Sequence, residues 1–298
     1  LIFAIILTPM IKPMTKQMNS IEKLQQLATQ VRRDILRMTN AAKSGHPGGS
    51  LGCADLVSAL YNGILHHDPD NFTMDGHGQD VFTLSIGHIS PVLYSVLARA
   101  GYFNIDELNT FRQLDSRLQG HPATQEGLPG IRIATGSLGQ GLSAAIGIAL
   151  SKKLNNDPKL SWVLMGDGEL QEGQVWEAAM YASANMVDNL VAIVDYNRKQ
   201  IDGSTDEVIS LGNLHSKWEA FDWLVLEMDG NNMESVLITL KAAKLNTGNH
   251  KPIVILMNTE MGMGVDFMMG TNKWHGVPPN DEQLQVALSQ LEETLGDF

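Results

Sequence analysis

The segment Trp162-Val163-Leu164-Met165-Gly166-Asp167-Gly168-Glu169-Leu170-Gln171-Glu172-Gly173 runs from an apolar stretch through a glycine turn into a helix-forming stretch. That arrangement suits a diphosphate. Glycines let the backbone approach a ligand, the first turn of a following helix offers unpaired N–H groups to an anion, and Asp167 stands at the end of the apolar stretch as a hard oxygen donor. Further along, a second apolar stretch ends in Asp195-Tyr196-Asn197. If the two stretches are neighbouring parallel strands joined by a right-handed crossover, Asn197 falls beside Asp167 at one sheet edge. A carboxylate and an amide oxygen, with a backbone carbonyl near Lys199, make an oxygen-only donor set that suits Mg²⁺, the remaining positions being filled by phosphate oxygens and water. A Gly-Asp-Gly turn is often only a turn, and Asn197 at the matching position is what favours the metal. A dinucleotide fingerprint needs Gly where Gln171 stands, and no Gly-x-x-x-x-Gly-Lys-Ser/Thr loop occurs. Thr135 to Gly141 forms a second glycine-rich loop, which close helix packing explains nearly as well.

Several of the nine histidines sit beside glycine in turn-like contexts, among them those in Ser44-Gly45-His46-Pro47-Gly48-Gly49, Gly87-His88, Gly120-His121-Pro122 and Trp274-His275-Gly276. Any one of them reads as an exposed turn residue. Together they suit an anionic cofactor beside a polyol substrate, because imidazoles donate to phosphate and hydroxyl oxygens and exchange protons near neutral pH. His66-His67-Asp68 looks like a metal cluster, but adjacent side chains point apart and Pro69-Asp70-Asn71 is a turn, so a solvated loop is expected there. Met261, Met263, Met268 and Met269 lie among glycines and read as a mobile hydrophobic loop or a lid over the site. Cys53, with no His or Lys placed to activate it, reads as a buried filler.

The elements that must position these groups alternate. Apolar runs at Val81 to Ser85, Trp162 to Met165, Leu190 to Asp195, Trp223 to Glu227 and Ile253 to Met257 are candidate strands. Helical patterns at Gly141 to Leu154, Glu172 to Asn185 and Met233 to Leu245 separate most of them, which argues for an α/β domain: a doubly wound, mostly parallel sheet with helices on both faces. Before the sheet, Leu24, Leu27, Ala28, Val31, Ile35 and Met38 mark one face of a helix that Asn19 and Glu22 would cap and that should end near Ser44-Gly45. Residues 53 to 65 read as a second apolar helix. Leu284, Leu288, Leu291 and Leu295 form a stripe on a last helix from Asp281 to Leu295, after Pro278-Pro279.

With 43% hydrophobic and 18% charged residues, the 298-residue chain can bury a large core. Its net charge of −12, with no basic run, argues against nucleic acid and anionic membranes as partners. The single cysteine fits a reducing, cytoplasmic setting. Leu1 to Leu7 is apolar but too short to span a bilayer and has no preceding basic region, so residues 1–18 are expected to be a disordered or dispensable extension, leaving 19–298 as the domain.

As an ordered set, these motifs resemble the amino-terminal, thiamine-diphosphate-binding section of transketolase. The match runs from the first helix to His275-Gly276 and includes Trp176-Glu177-Ala178 and Ile201-Asp202-Gly203. The resemblance implies the thiamin-diphosphate-binding fold and its diphosphate-binding domain. It implies that Asp167, Asn197 and the carbonyl of Lys199 bind Mg²⁺, with Ca²⁺ or Mn²⁺ able to substitute. It likewise implies that Gly168, His88, His275 and, through the metal, Asn197 hold the diphosphate, while Gly136, Ser137 and Leu138 touch the aminopyrimidine. His46, His121 and His275 would face the hydroxyls of the donor and assist proton transfers, and Glu172 and Glu177 would form a carboxylate relay between two sites.

The implied activity is transfer of a two-carbon ketol unit from a ketose, by family habit a phosphate, to an aldose, in carbohydrate metabolism of the pentose phosphate type. A separate carboxyl-terminal-section chain is expected to supply the glutamate that activates the aminopyrimidine and the basic residues that grip sugar phosphate, in an α2β2 heterotetramer. Two positions depart from the family pattern: Ile86, where Lys or Asn is usual, and Met261-Gly262-Met263-Gly264, where Lys-Gly-Lys-Gly is frequent. Both bear on substrate contacts rather than on cofactor binding. The alternatives are a component of a 2-oxo-acid dehydrogenase or deoxyxylulose-phosphate synthase type, or a catalytically silent binding subunit. Ser44 to Gly49 and His121-Pro122 favour ketol transfer, and a silent chain has no need of the complete set Asp167, Asn197, His46 and His275.

Overall fold

The computed structural model describes residues 21–298, so the extension 1–18 and the Asn19 half of the expected cap lie outside the described residues. Helix α1 (Ile21–Ala42) buries the expected face, Leu24, Leu27, Ala28, Val31, Ile35 and Met38. It stops where Lys43 turns into the left-handed region at φ 48°. The expected helix over 53–65 forms over residues 54–64, with a wide last turn. Helix α2 (Pro47–Gly52) ends at Cys53, α3 (Ala54–Ala59) follows, and a wider turn over Leu60–Ile64 closes the segment. Asn62 and Gly63 are poor helix formers, and the chain there takes an i→i+5 bond from Leu65 N to Leu60 O at 2.8 Å.

The remaining elements are β1 (Val81–Leu84), α4 (Ser90–Arg99), α5 (Gly141–Leu154), β2 (Ser161–Gly166), α6 (Gly173–Ala184) and β3 (Leu190–Tyr196). After them come the short hairpin β4 (Lys199–Gln200) and β5 (Gly203–Ser204), then α7 (Thr205–Ile209), α8 (Leu214–Ala220), β6 (Leu224–Asp229), α9 (Met233–Leu245), β7 (Ile253–Asn258) and α10 (Asp281–Ser289). Strands β1, β2, β3, β7 and β6 form one sheet in that order, every neighbouring pair parallel.

Alternation along the strands builds the two faces. Trp162 and Leu164 of β2, with Ile193 and Ile255, pack against side chains of α1, α3, α4 and α9. Val163 and Met165, with Val194 and Val254, pack against α5, α6 and α8. Both faces are therefore apolar, which is why the strands read as continuous hydrophobic runs. Each fully buried aliphatic side chain contributes roughly 1.5–3 kcal/mol.

Three expectations need correction. Helix α10 ends at Ser289, short of Leu295, because the last residues instead cross α1: Gln30 accepts from Thr294 N and Leu295 N at 2.9 and 3.0 Å, and Arg33 Nη2 pairs with Asp297 at 2.6 Å. These side-chain partners satisfy backbone groups that a longer helix would have paired internally. His66–Asp68 is a loop with His66 exposed, as expected, but the His67 ring is half-buried rather than solvated. Its ring stacks on Tyr102 at 5.7 Å and bonds Tyr102 Oη at 3.0 Å. The methionine segment is packed in part rather than wholly a free apolar loop: Met261 and Met268 are buried, Met268 in the main core, and Met261 also lines the cavity described below, while Met269 is exposed. Cys53 is fully buried, as expected, and burial pushes its thiol well up from the ordinary value.

Candidate active site

The parallel strands β1, β2 and β3 end side by side, and the turns that leave them enclose a cavity of about 280 Å³. The Gly166–Asp195 register sets Asp167 directly against the segment after β3. Asp167 N donates to Asp195 O at 3.1 Å, and Arg198 N donates back to Asp167 Oδ2 at 2.5 Å, so the Asn197–Lys199 turn wraps the carboxylate. Asp167, Gly168, Asn197 and Lys199 all line the cavity, as the crossover argument requires. Asn197 Nδ2 donates to Asp195 Oδ2 at 2.8 Å, which fixes the amide so that its Oδ1, bonded to Lys199 N at 2.8 Å, is the oxygen end.

The other wall is imidazole. His46, His88 and His275 line the same cavity, with ring centroids 4.9 Å (His46–His88), 5.2 Å (His88–His275) and 5.7 Å (His46–His275) apart. Burial, reinforced by the neighbouring rings, lowers His88 to about 3 and His46 to about 4. His275 is lowered by burial, and His121 by burial and then by the charge of Arg112. All four rings are thus neutral at neutral pH in the ligand-free chain.

Gly136 and Leu138 complete the lining, whereas Ser137 faces an adjoining cavity with Thr135 and Gln140. Gly136 sits at φ +125°, and a Cβ there would lie 2.5 Å from His121 Cδ2, so glycine is required for the loop to pass that ring. Glu172 reaches the cavity. Glu177 does not. It lies on the outer side of α6 in a groove with Gly147 and Tyr181 of α5 and α6, which separates it from the other residues proposed for chemistry. His121 touches the loop at Gly136 without lining the cavity itself.

Several residues that hold the site carry no motif of their own. Glu169 is 2% exposed and accepts from Ser85 Oγ, from Gly139 N at 2.8 Å and from Gly166 N at 3.2 Å. Asp195 is buried beneath Asn197 and accepts from Thr259 Oγ1. Arg112 Nη1 donates to Ser44 Oγ at 2.9 Å, and its guanidinium lies so close to Gly120 that a Cβ there would be 2.7 Å from Cζ, which ties the loops of His46 and His121 together. Lys199 Nζ pairs with Glu260 at 2.8 Å. Only the positions of Glu169 and Asp195 inside the two strand-end motifs marked them in the sequence.

The residues present fit a diphosphate cofactor with a divalent cation. His46 Nδ1, His275 Nδ1 and Gln200 Nε2 are buried with no hydrogen-bond partner among the described residues. Such atoms cost free energy unless a ligand meets them. Burial, and then the charge of Asp195, raises Asp167 to about 8, a strain that a bound cation relieves. No group of three or more His, Cys, Asp or Glu side chains among the described residues is placed to hold a metal, so a cation there takes its oxygens from one carboxylate, one amide, a carbonyl and the ligand.

A parallel sheet with glycine turns, an acid–amide pair and neutral imidazoles at its carboxyl edge defines an α/β domain built for a diphosphate-bearing cofactor. Residues 23–294 match the family described as transketolase, thiamine diphosphate binding domain, and the chain belongs to that family. It is 38% identical over 275 residues to an apulose-4-phosphate transketolase subunit of Phocaeicola vulgatus, covering 92% of this chain and 96% of that one. It is 39% identical over 270 residues to the 6-deoxy-6-sulfo-D-fructose transketolase subunit SqwG of a Clostridium species, covering 91% of this chain and 96% of that one. The crystal structure of transketolase from Campylobacter jejuni superposes with a TM-score of 0.83 at 34% identity, covering 92% of this chain and 43% of that one. The chain therefore spans less than half the length of that transketolase while matching nearly the whole of the two subunits.

Proposed function

We propose that this chain is the amino-terminal subunit of a two-chain transketolase that moves a two-carbon ketol unit from a ketose to an aldose with thiamine diphosphate and Mg²⁺. The observation that carries this reading is the cavity itself, where Asp167 and Asn197 meet the triangle of His46, His88 and His275. Asp167 Oδ, Asn197 Oδ1 and the Lys199 carbonyl would hold the cation, and Gly168, His88 and His275 the diphosphate. Gly136 and Leu138 would flank the ring system, with Ser137 in the same loop. When bound, thiamine diphosphate supplies a carbon nucleophile and an electron sink for cleaving a bond beside a ketose carbonyl.

The chain's own groups then orient and protonate. His46 and His275, neutral in the cavity wall, and His121 beside it, would accept hydrogen bonds from donor hydroxyls at an unprotonated ring nitrogen and take or return a proton there. Glu172 borders the cavity, while Glu177 stands outside it, so a relay between sites would run along α6 toward a neighbouring chain.

The partner is a carboxyl-terminal-section chain, and an α2β2 assembly would complete two sites. The subunit names of the relatives from Phocaeicola and Clostridium support a two-chain system, and both names specify a ketose carrying an anionic group, which favours a phosphorylated or otherwise anionic ketose donor here. Donor-ketose turnover with thiamine diphosphate and Mg²⁺ tests the reading, using this chain alone, the partner alone and the mixture. Activity in the mixture only, lost on Asp167→Ala, is expected. Cofactor binding without turnover on phosphorylated, sulfonated and free ketoses would sink it.

A further inference from the structure

Glu169 is a nearly fully buried carboxylate with no cation bonded to it among the described residues. Its three donors come from three different segments. Ser85 lies at the end of β1 and leads to His88, Gly139 N belongs to the loop that carries Gly136 and Leu138, and Gly166 N ends β2 just before Asp167. Each segment contributes to the cavity wall. The loop 136–140 is otherwise irregular, and glycines at φ +125° and +83° give it no stiffness of its own. A buried anion is tolerated only when donors surround it, so the carboxylate and the three segments hold one another in place.

Resting on the thiamine diphosphate reading, we propose that Glu169 is a positioning residue that preforms the cofactor cavity by pinning the 136–140 loop to the ends of β1 and β2. The effect is selective. Asp167 keeps anchors of its own in Asp195 O, Arg198 N and Gly168 N, so the metal and diphosphate half of the site depends on Glu169 less than the ring-binding half, whose loop Glu169 holds at Gly139 N. Glutamine at this position keeps the volume but turns one acceptor oxygen into an N–H donor that meets other donors, so at least one of the three bonds is lost.

The experiment compares wild type with Glu169→Gln, and with Ser85→Ala as a milder variant should the first fail to fold. Amide exchange of the ligand-free chain is followed across 136–140, and affinities are measured for thiamine diphosphate with Mg²⁺ and for inorganic diphosphate with Mg²⁺. In Glu169→Gln the loop should exchange about tenfold faster while β2 and β3 are unchanged. Thiamine diphosphate should bind about tenfold to a hundredfold more weakly, with inorganic diphosphate weakened by clearly less. Ser85→Ala should shift both readouts in the same direction by less. Unchanged loop exchange, or an equal loss for both ligands, overturns the proposal. A wild-type chain that binds neither ligand, both alone and mixed with its carboxyl-terminal-section partner, refutes the cofactor reading instead, and the exchange data then still decide whether Glu169 holds the loop.

Discussion

Acid should loosen this protein through its site, and His88 gives the clearest measure. Its ring is surrounded by His46 and His275 and is held neutral chiefly by burial, with a pKa lowered from 6.5 to about 3. A base with a folded value below its unfolded value favours the unfolded state as pH falls, because the unfolded chain takes up the proton first. The loss begins near the unfolded value of 6.5 and continues until about 3, where the folded ring also protonates. Between about pH 7.5 and about pH 5 the linkage amounts to about 2 kcal/mol for this one group. His88→Gln removes the titration and keeps a polar side chain of similar reach. Urea unfolding of both proteins at the two pH values should therefore show the variant losing about 2 kcal/mol less than wild type on acidification. Identical pH dependence in the two proteins would refute the claim that the ring is buried and neutral.

Asp167 should show the opposite sign. Its folded value near 8 lies above the ordinary 3.8, so in the ligand-free chain it opposes folding increasingly as pH rises from 3.8 towards 8. Asp167→Asn removes this titration, so between about pH 5 and pH 8 its ligand-free stability in denaturant titrations should lose the fall that Asp167 imposes on wild type, over a pH-independent cost from the backbone bond its Nδ2 disturbs, and Mg²⁺-dependent thiamine diphosphate binding should be abolished in calorimetry. Gly136→Ala forces a side chain into φ +125° against His121 and should weaken thiamine diphosphate binding by about tenfold or more, with a thermal shift of only a few degrees. Arg99→Met leaves Asp34, fully buried and bonded to Arg99 at 2.5 and 2.7 Å, without its cation, and should cost about 3–5 kcal/mol in chemical unfolding.

The five sheet strands were legible as apolar runs because a sheet covered on both faces needs no polar alternation, and α5, α6 and α9 fall where their patterns end in turns. Asp167, Asn197, His46, His88 and His275 were legible as chemistry because glycine marks the turns that carry them. The early end of α10 was hidden. The stripe of leucines continued beyond the point where Gln30 and Arg33 capture the chain. The methionines among glycines looked mobile only because their partners lie elsewhere in the chain, as does Tyr102, on which His67 stacks.

Local spacing was enough to determine the sheet, the glycine turns and the residue types assembled at their ends, because side-chain periodicity and turn chemistry act over a few residues. It was also enough to pair Asp167 with Asn197, since adjacent parallel strands bring their carboxyl ends together. Packing alone decided that three histidines from distant loops share one cavity while His121 and Ser137 stand beside it and Glu177 stands apart. It also decided the roles of Glu169 and Arg112, whose partners lie far away in the sequence. Burial depends on every element that surrounds a group, so the neutral state of His88 and the raised value of Asp167 belong to the folded chain and to no segment of it.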